Sequence, residues 1–237
     1  MSQLSYKDVV ENKEGYVLLP AFIPHKLISD FKNVLPKLYP VRATDKNKKY
    51  AERHEIKNLQ EISVWWSQFV LDFNEFKAIE KLISTVIKTN FPNMVLYSAD
   101  TVCINAQTNL VNPHVDTPHR FKKFNYDPRL LSIQCIITLD DVSAESGSTG
   151  LVPFSQKRDF NIDDCYKGMY DRWFKENAKQ NYMSRGSVLF YNCRILHSSM
   201  PNHSDKPRTV LLINYMDKSI IEEVKGLDNI WASNESA

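Results

Sequence analysis

The chain has 237 residues, with Lys+Arg 30 against Asp+Glu 28 and a formal net charge of +2. Apolar residues at 43% and charged residues at 24% exclude a disordered or fibrous chain. They fit one domain large enough to bury roughly 70% of its unfolded surface without disulfides. The near-neutral balance argues against a nucleic-acid partner, and no run approaches the ~20 apolar residues that a membrane span needs.

In chain order, the opening MSQLSYKDVVENKEG is polar and is not expected to be a signal peptide. Tyr16–Leu19 reads as a short strand. His25–Leu38 follows as a helix, with Leu27, Phe31, Val34, Leu35 and Leu38 at helical spacing. Asp45–Lys57 reads as a solvated loop, and Trp65 and Trp66 in the run 62–71 read as core packing. Asn74–Asn90 carries the clearest stripe, Phe76, Ile79, Leu82, Ile83, Val86 and Ile87, and stops at Asn90-Phe-Pro92.

The period then changes. Met94–Ala106, Leu130–Leu139, Ser187–Tyr191 and Thr209–Met216 are β-branched or apolar runs bounded by Pro, Gly, Asn or Asp. A polar, aromatic stretch, Asn161–Tyr182, interrupts them as a helix-bearing excursion. The expectation is a single mainly-β domain over 1–237, an antiparallel double-sheet barrel with flanking helices packed on one face. Its helical part covers about 1–92, its barrel core about 93–216 and a C-terminal tail 217–237. Cys103, Cys135, Cys165 and Cys193 are widely spread with no C-x-x-C pair, which points to reduced thiols and a cytoplasmic setting.

Chemistry concentrates in a few residues. His114 and Asp116 lie in Asn112-Pro-His-Val-Asp-Thr117, and His197 in Arg194-Ile-Leu-His-Ser-Ser199. In extended backbone, residues i and i+2 face the same side, so His114 and Asp116 can present an imidazole and a carboxylate to one ion. A histidine from a neighbouring strand completes two histidines and one carboxylate, a set that leaves positions open on non-haem Fe(II). Arg208 stands eleven residues after His197, across a turn-rich stretch and at the start of the next strand. Its planar fork suits the far carboxylate of a diacid co-substrate whose 2-oxo acid end chelates the iron.

These residues sit in a longer pattern: H-x-D, then Glu145-Ser-Gly-Ser-Thr-Gly-Leu-Val-Pro-Phe-Ser-Gln156, then Gly186 through His197-Ser-Ser-Met-Pro-Asn202 to Arg208. The pattern resembles the phytanoyl-CoA dioxygenase family, from Glu14-Gly-Tyr-Val17 to about Tyr215. The resemblance implies a double-stranded β-helix (jelly-roll, cupin-like) and an Fe(II)- and 2-oxoglutarate-dependent hydroxylase using O2. It implies that His114, Asp116 and His197 bind iron and that Arg208 holds 2-oxoglutarate with help from Ser199. Asn105 resembles an amide that contacts the co-substrate, and Gln134 on the next strand run is a further candidate. Relatives that halogenate replace the carboxylate with a small residue, so the intact Asp116 points to hydroxylation, with release of succinate and CO2. The chain departs from the family at Phe154-Ser-Gln156, where Gly-Ser-His is usual, and that departure bears on substrate identity.

Other readings stay open. Two histidines and a carboxylate also hold zinc, although a hydrolase would lack an evident general base and leave Arg208 without a role. The barrel could be catalytically inert, or act on a macromolecule rather than a small metabolite. His119 is expected beside the ligands or facing substrate, while His25, His54 and His203 are expected at the surface. The run Arg120-Phe-Lys-Lys123 could rim the pocket and favour an acidic substrate, or be a solvated loop. Specificity is expected from Val41–Leu59, Thr117–Leu130 and Asn161–Tyr182.

Overall fold

A computed structural model of the chain describes residues 6–35, 64–67, 71, 73–109, 112–161, 164–165 and 167–234, with only the backbone at 64–67 and 228–234. The loop expected at Asp45–Lys57, His54 within it, and the side chains of Trp65 and Trp66 lie outside what is described. The elements run α1 (Tyr6–Asn12), β1 (Tyr16–Leu19), α2 (His25–Val34), β2 (Val64–Ser67), α3 (Asn74–Asn90), β3 (Met94–Ile104) and β4 (Ser132–Thr138). They continue with β5 (Thr149–Leu151), α4 (Asp171–Asn177), β6 (Lys179–Gln180), β7 (Val188–Asn192), β8 (His197–Ser199), β9 (Arg208–Asp217) and α5 (Ile221–Asn234).

The α3 stripe does what its spacing demands. Phe76, Ile79, Ile83 and Ile87 are buried, Glu75 and Lys88 sit at the dipole ends that favour their charges, and the Phe91 amide closes the helix on the Ile87 carbonyl. On α2, Ile28 and Phe31 form the buried face. These side chains share one buried cluster with Ala99, Ile133, Cys135, Ile137, Val188, Phe190, Leu211, Ile213 and Tyr215 of the strands. Each large apolar group so removed from water contributes roughly 1.5–3 kcal/mol. Glu80 of α3 accepts a 2.9 Å hydrogen bond from the Tyr215 hydroxyl, a polar tie across the same contact.

The strands form two antiparallel sheets, one of six in the order β1-β7-β4-β9-β3-β2 and one of three in the order β6-β5-β8. Alternation assigns the opposite face of the large sheet: Val102, Ile104, Ile136, Leu189, Tyr191 and Val210 pack with Leu151 of the small sheet. Because β4 is covered on both faces, it is buried at every position and its sequence, SIQCIIT, does not alternate. The register Tyr191↔Gln134↔Asn214 places those three side chains in one row on the face that looks towards the small sheet.

The tail expected over 217–237 contains helix α5. Ile220 and Val224 cluster with Phe124, Leu131 and Met216, so this segment caps the loop that follows the H-x-D motif. The excursion at 161–182 carries α4, whose Phe174 is buried with Val115, Val152 and Leu196. Gly147 holds φ at +70°, and a Cβ there would lie 2.2 Å from the Pro201 carbonyl oxygen, so only glycine fits beside the segment leaving β8.

Candidate metal centre

Backbone pairing brings the two motifs together. His114 and His197 exchange both hydrogen bonds, His114 N to His197 O at 2.9 Å and His197 N to His114 O at 3.0 Å. Residues so paired face the same side, and the two imidazole centroids lie 4.4 Å apart. The Asp116 amide continues the contact by donating to the Cys193 carbonyl at 2.8 Å, and the Ser198 hydroxyl receives the Asn112 amide. The result gathers His114, Asp116 and His197 with their ligand atoms all within 4.8 Å of one another.

Each imidazole is oriented by its own strand. His114 Nδ1 lies 2.7 Å from the Asn112 carbonyl and His197 Nδ1 lies 3.0 Å from the Ile195 carbonyl. Both Nδ1–H groups therefore donate to backbone, leaving the Nε2 lone pairs directed at the cluster. Burial pushes the His197 imidazole down to about 4, so it is neutral at physiological pH. Burial raises the Asp116 carboxyl, yet the positive charge that the His197 and His114 rings carry in acid, the Tyr191 hydroxyl and Arg120 outweigh it and hold the group below its usual range. Asp116 Oδ2 stands 3.3 Å from His197 Nε2, and Oδ1 stands 3.7 Å from His114 Nε2.

Carboxylate oxygens and imidazole lone pairs this close repel unless a proton or a metal cation is shared. The donor set thus fits a divalent ion bound by two nitrogens and a carboxylate oxygen, with room for further ligands. His114 and Asp116 are only half-buried, so one side of the cluster is accessible.

Arg208 opens β9 with its side chain on the same sheet face as Val210 and Leu212, opposite Ile104 of β3. It is 3% exposed, and its Nε has no hydrogen-bond partner. Burial pushes the guanidinium down to about 10. A buried guanidinium with an unsatisfied Nε–H fits an anionic ligand group. The chain reaches it from the cluster along β8: His197 and Ser199 share one face, and three residues on, Asn202 donates to the carbonyl of Ile104, the register partner of Arg208.

The remaining sequence candidates are dispersed around this line. Asn105 directly follows β3 at the Arg208 end, and its carbonyl accepts from Thr108. Gln134 is buried on β4 and accepts from the Asn214 amide at 2.9 Å. His119 is fully buried, with Nδ1 3.1 Å from the Phe124 carbonyl, and is outside the ligand group; burial pushes it down to about 4. His25 and His203 are exposed. In the basic run, Lys123 pairs with Glu223 of α5, while the charge of Arg120 acts on Asp116.

The departure at Phe154-Ser-Gln156 packs against the N-terminal turn rather than standing free. Phe154 takes the left-handed φ of +64° that a glycine holds easily, its amide donates to the Glu14 carbonyl, and Gln156 Nε2 donates to the Lys13 carbonyl. Ser155 accepts from the Leu196 amide at 2.8 Å, bracing the residue before His197.

One neighbour escapes the sequence reading. Tyr191 reads as strand core, but its hydroxyl donates to Asp116 Oδ2 at 2.9 Å and lies 3.1 Å from His197 Nε2. The available signal was a tyrosine in a buried run, whose hydroxyl needs a partner. Burial and the Asp116 charge push this phenol well above its ordinary value, so it is a neutral donor.

A mainly-sheet fold that gathers two imidazoles and a carboxylate defines a candidate metal-dependent enzyme of the facial-triad kind. The chain belongs to the phytanoyl-CoA dioxygenase family, whose model matches residues 12–210. Its fold is similar to that of the non-haem α-ketoglutarate-dependent carbocyclase SnoK from nogalamycin biosynthesis, at 20% identity and TM-score 0.63, covering 92% of this chain and 84% of that one. It is also similar to HygX from Streptomyces hygroscopicus with nickel and 2-oxoglutarate bound, at 14% identity and TM-score 0.67, covering 92% and 88%. A third such structure is the epimerase SnoN with Fe3+, α-ketoglutarate and nogalamycin RO, at 16% identity and TM-score 0.63, covering 88% and 81%. A comparison with curated proteins finds no match.

Proposed function

We propose that this chain is an Fe(II)- and 2-oxoglutarate-dependent dioxygenase that hydroxylates a C–H bond of a small metabolite carrying an acidic group. The finer fold assigned with it is the double-stranded β-helix, closed by the two sheets around the metal cluster. The observation that carries the reading is that one fold holds both an acceptor-rich cluster and a buried arginine whose Nε has no partner. In it, His114, Asp116 and His197 hold iron, Arg208 takes the distal carboxylate of 2-oxoglutarate, and Ser199 supports that carboxylate from β8. Asn105 and Gln134 are further co-substrate contacts. When bound, the iron supplies the redox chemistry that couples decarboxylation of 2-oxoglutarate to substrate oxidation.

The chain's own residues supply the order of events. The Nδ1–H bonds to Asn112 and Ile195 set the neutral tautomer of each imidazole, so Nε2 is the atom each ring offers to an ion. The buried arginine discriminates a diacid from a monoacid, because only the diacid neutralises it. Arg120, whose charge reaches Asp116, gives an acidic substrate group a partner near the oxidising centre. HygX holds 2-oxoglutarate and SnoK is a carbocyclase, which supports the co-substrate and leaves the outcome of oxidation to this chain's own pocket.

The test is an anaerobic titration with Fe(II) and 2-oxoglutarate followed by O2, reading succinate against a panel of metabolites in pairs with and without a carboxylate. One iron per chain, and succinate release stimulated by the acidic members, is expected, with Asp116→Ala inactive. Iron binding without any succinate, coupled or uncoupled, would leave only the inert barrel.

A further inference from the structure

Tyr191 lies in the middle of the buried network. It is 2% exposed, it is held in register between Tyr16 of β1 and Gln134 of β4, and its ring centroid lies 4.8 Å from that of His197. Its hydroxyl has one proton and two acceptors within reach, Asp116 Oδ2 at 2.9 Å and His197 Nε2 at 3.1 Å. His197 cannot return a proton, because its Nδ1–H is committed to the Ile195 carbonyl. One acceptor is therefore unsatisfied until a cation takes the Nε2 lone pair, after which the phenol donates to the carboxylate alone.

We propose that Tyr191 is a positioning residue for the metal: its hydroxyl pins one Asp116 oxygen, so that the carboxylate offers the ion its other oxygen and not both. The pinned atom is Oδ2, and the free one, Oδ1, faces His114. A carboxylate restricted to one donor atom leaves a position open for co-substrate that a chelating carboxylate would fill. Because Tyr191 is carried on a central, fully buried strand, the donor is in place before the ion arrives. Hydrogen-bond partners of metal-ligating side chains typically contribute 10–100-fold to metal affinity.

This inference rests on the metal site proposed above, and its test separates the two. Mn(II) and Co(II) binding are measured by calorimetry and by Co(II) absorption for wild type, Tyr191→Phe and Asp116→Ala, with the melting temperature of each metal-free protein as a control. The expected result is one ion per wild-type chain and about 10–100-fold weaker binding to Tyr191→Phe, with an altered Co(II) spectrum and an unchanged metal-free melting temperature. Affinity within twofold and an identical spectrum would overturn the role of Tyr191 while leaving the metal site standing. A wild-type chain that binds no ion, or binds it as well after Asp116→Ala, would overturn both. Should Tyr191→Phe fail to fold, a crystal structure of the Mn(II)-loaded wild type decides. A Tyr191 hydroxyl on an Asp116 oxygen and clear of the ion supports the inference, and a hydroxyl ligating the ion or turned from Asp116 overturns it.

Discussion

Replacing Arg208 with Met should strengthen the empty protein and cripple the loaded one. Arg208 is 3% exposed, its Nε lacks an acceptor, and burial lowers its guanidinium to about 10. At 1.36 kcal/mol per pKa unit, holding this cation in the fold costs on the order of 3 kcal/mol. By linkage, a base whose folded value is depressed destabilises the fold at every pH below about 10, and the penalty fades as pH rises from there towards the free guanidinium's own range. Methionine keeps most of the stem's volume and removes the charge. The metal-free variant should therefore melt roughly 6–12 °C higher, using about 2–4 °C per kcal/mol for a chain of this size. Affinity for 2-oxoglutarate should fall at least about a hundredfold, or about 2.7 kcal/mol, since paired charge-assisted bonds are lost. Denaturation of the metal-free protein and calorimetry with 2-oxoglutarate on the Mn(II)-loaded protein read the two effects. A variant less stable than wild type, or one that keeps its 2-oxoglutarate affinity within about threefold, would refute the reasoning.

Two further outcomes test the surroundings of the site. His119 and His197 are both lowered from 6.5 to about 4, chiefly by burial, so the unfolded chain binds more protons than the folded chain between those values. Stability of the metal-free protein is therefore full above about pH 6.5 and falls on acidification towards pH 4, with a slope approaching about 2.7 kcal/mol per pH unit. Urea denaturation at pH 7, 6 and 5 checks this, and a flat profile would contradict it. Phe124→Ala removes a buried ring from the cluster of Leu131, Met216, Ile220 and Val224 and should cost about 3–5 kcal/mol. A loss under about 1 kcal/mol would show that α5 does not brace the loop beyond Asp116.

The long elements were legible because their burial follows a period. The Asn74–Asn90 stripe became α3 with the same limits, Tyr16–Leu19 became β1, and the apolar runs at 94–106 and 130–139 hold β3 and β4. Strand β7 overruns the run at 187–191 by one residue at its C-terminal end, and β9 overruns that at 209–216 by one residue at each end. The His25 helix begins where its spacing predicts and is described to Val34. Elements of two to four residues, such as β5, β6 and β8, carry too few positions for any period to show. Helix α5 was hidden for a different reason: its buried partners, Phe124 and Leu131, lie on a loop whose path no local pattern reveals.

The residue types and order along the chain determined which side chains were available: H-x-D, a later histidine and an arginine at the head of a strand. Whether they meet was decided by tertiary pairing, in which the His114–His197 bridge sets two imidazoles side by side. The same holds for Tyr191, whose identity says only that a hydroxyl is being buried. Its partners, Asp116 and His197, come from distant segments. Side-chain chemistry is a local property, but the orientation of lone pairs and the burial that shifts protons depend on what the folded chain places within a few ångströms.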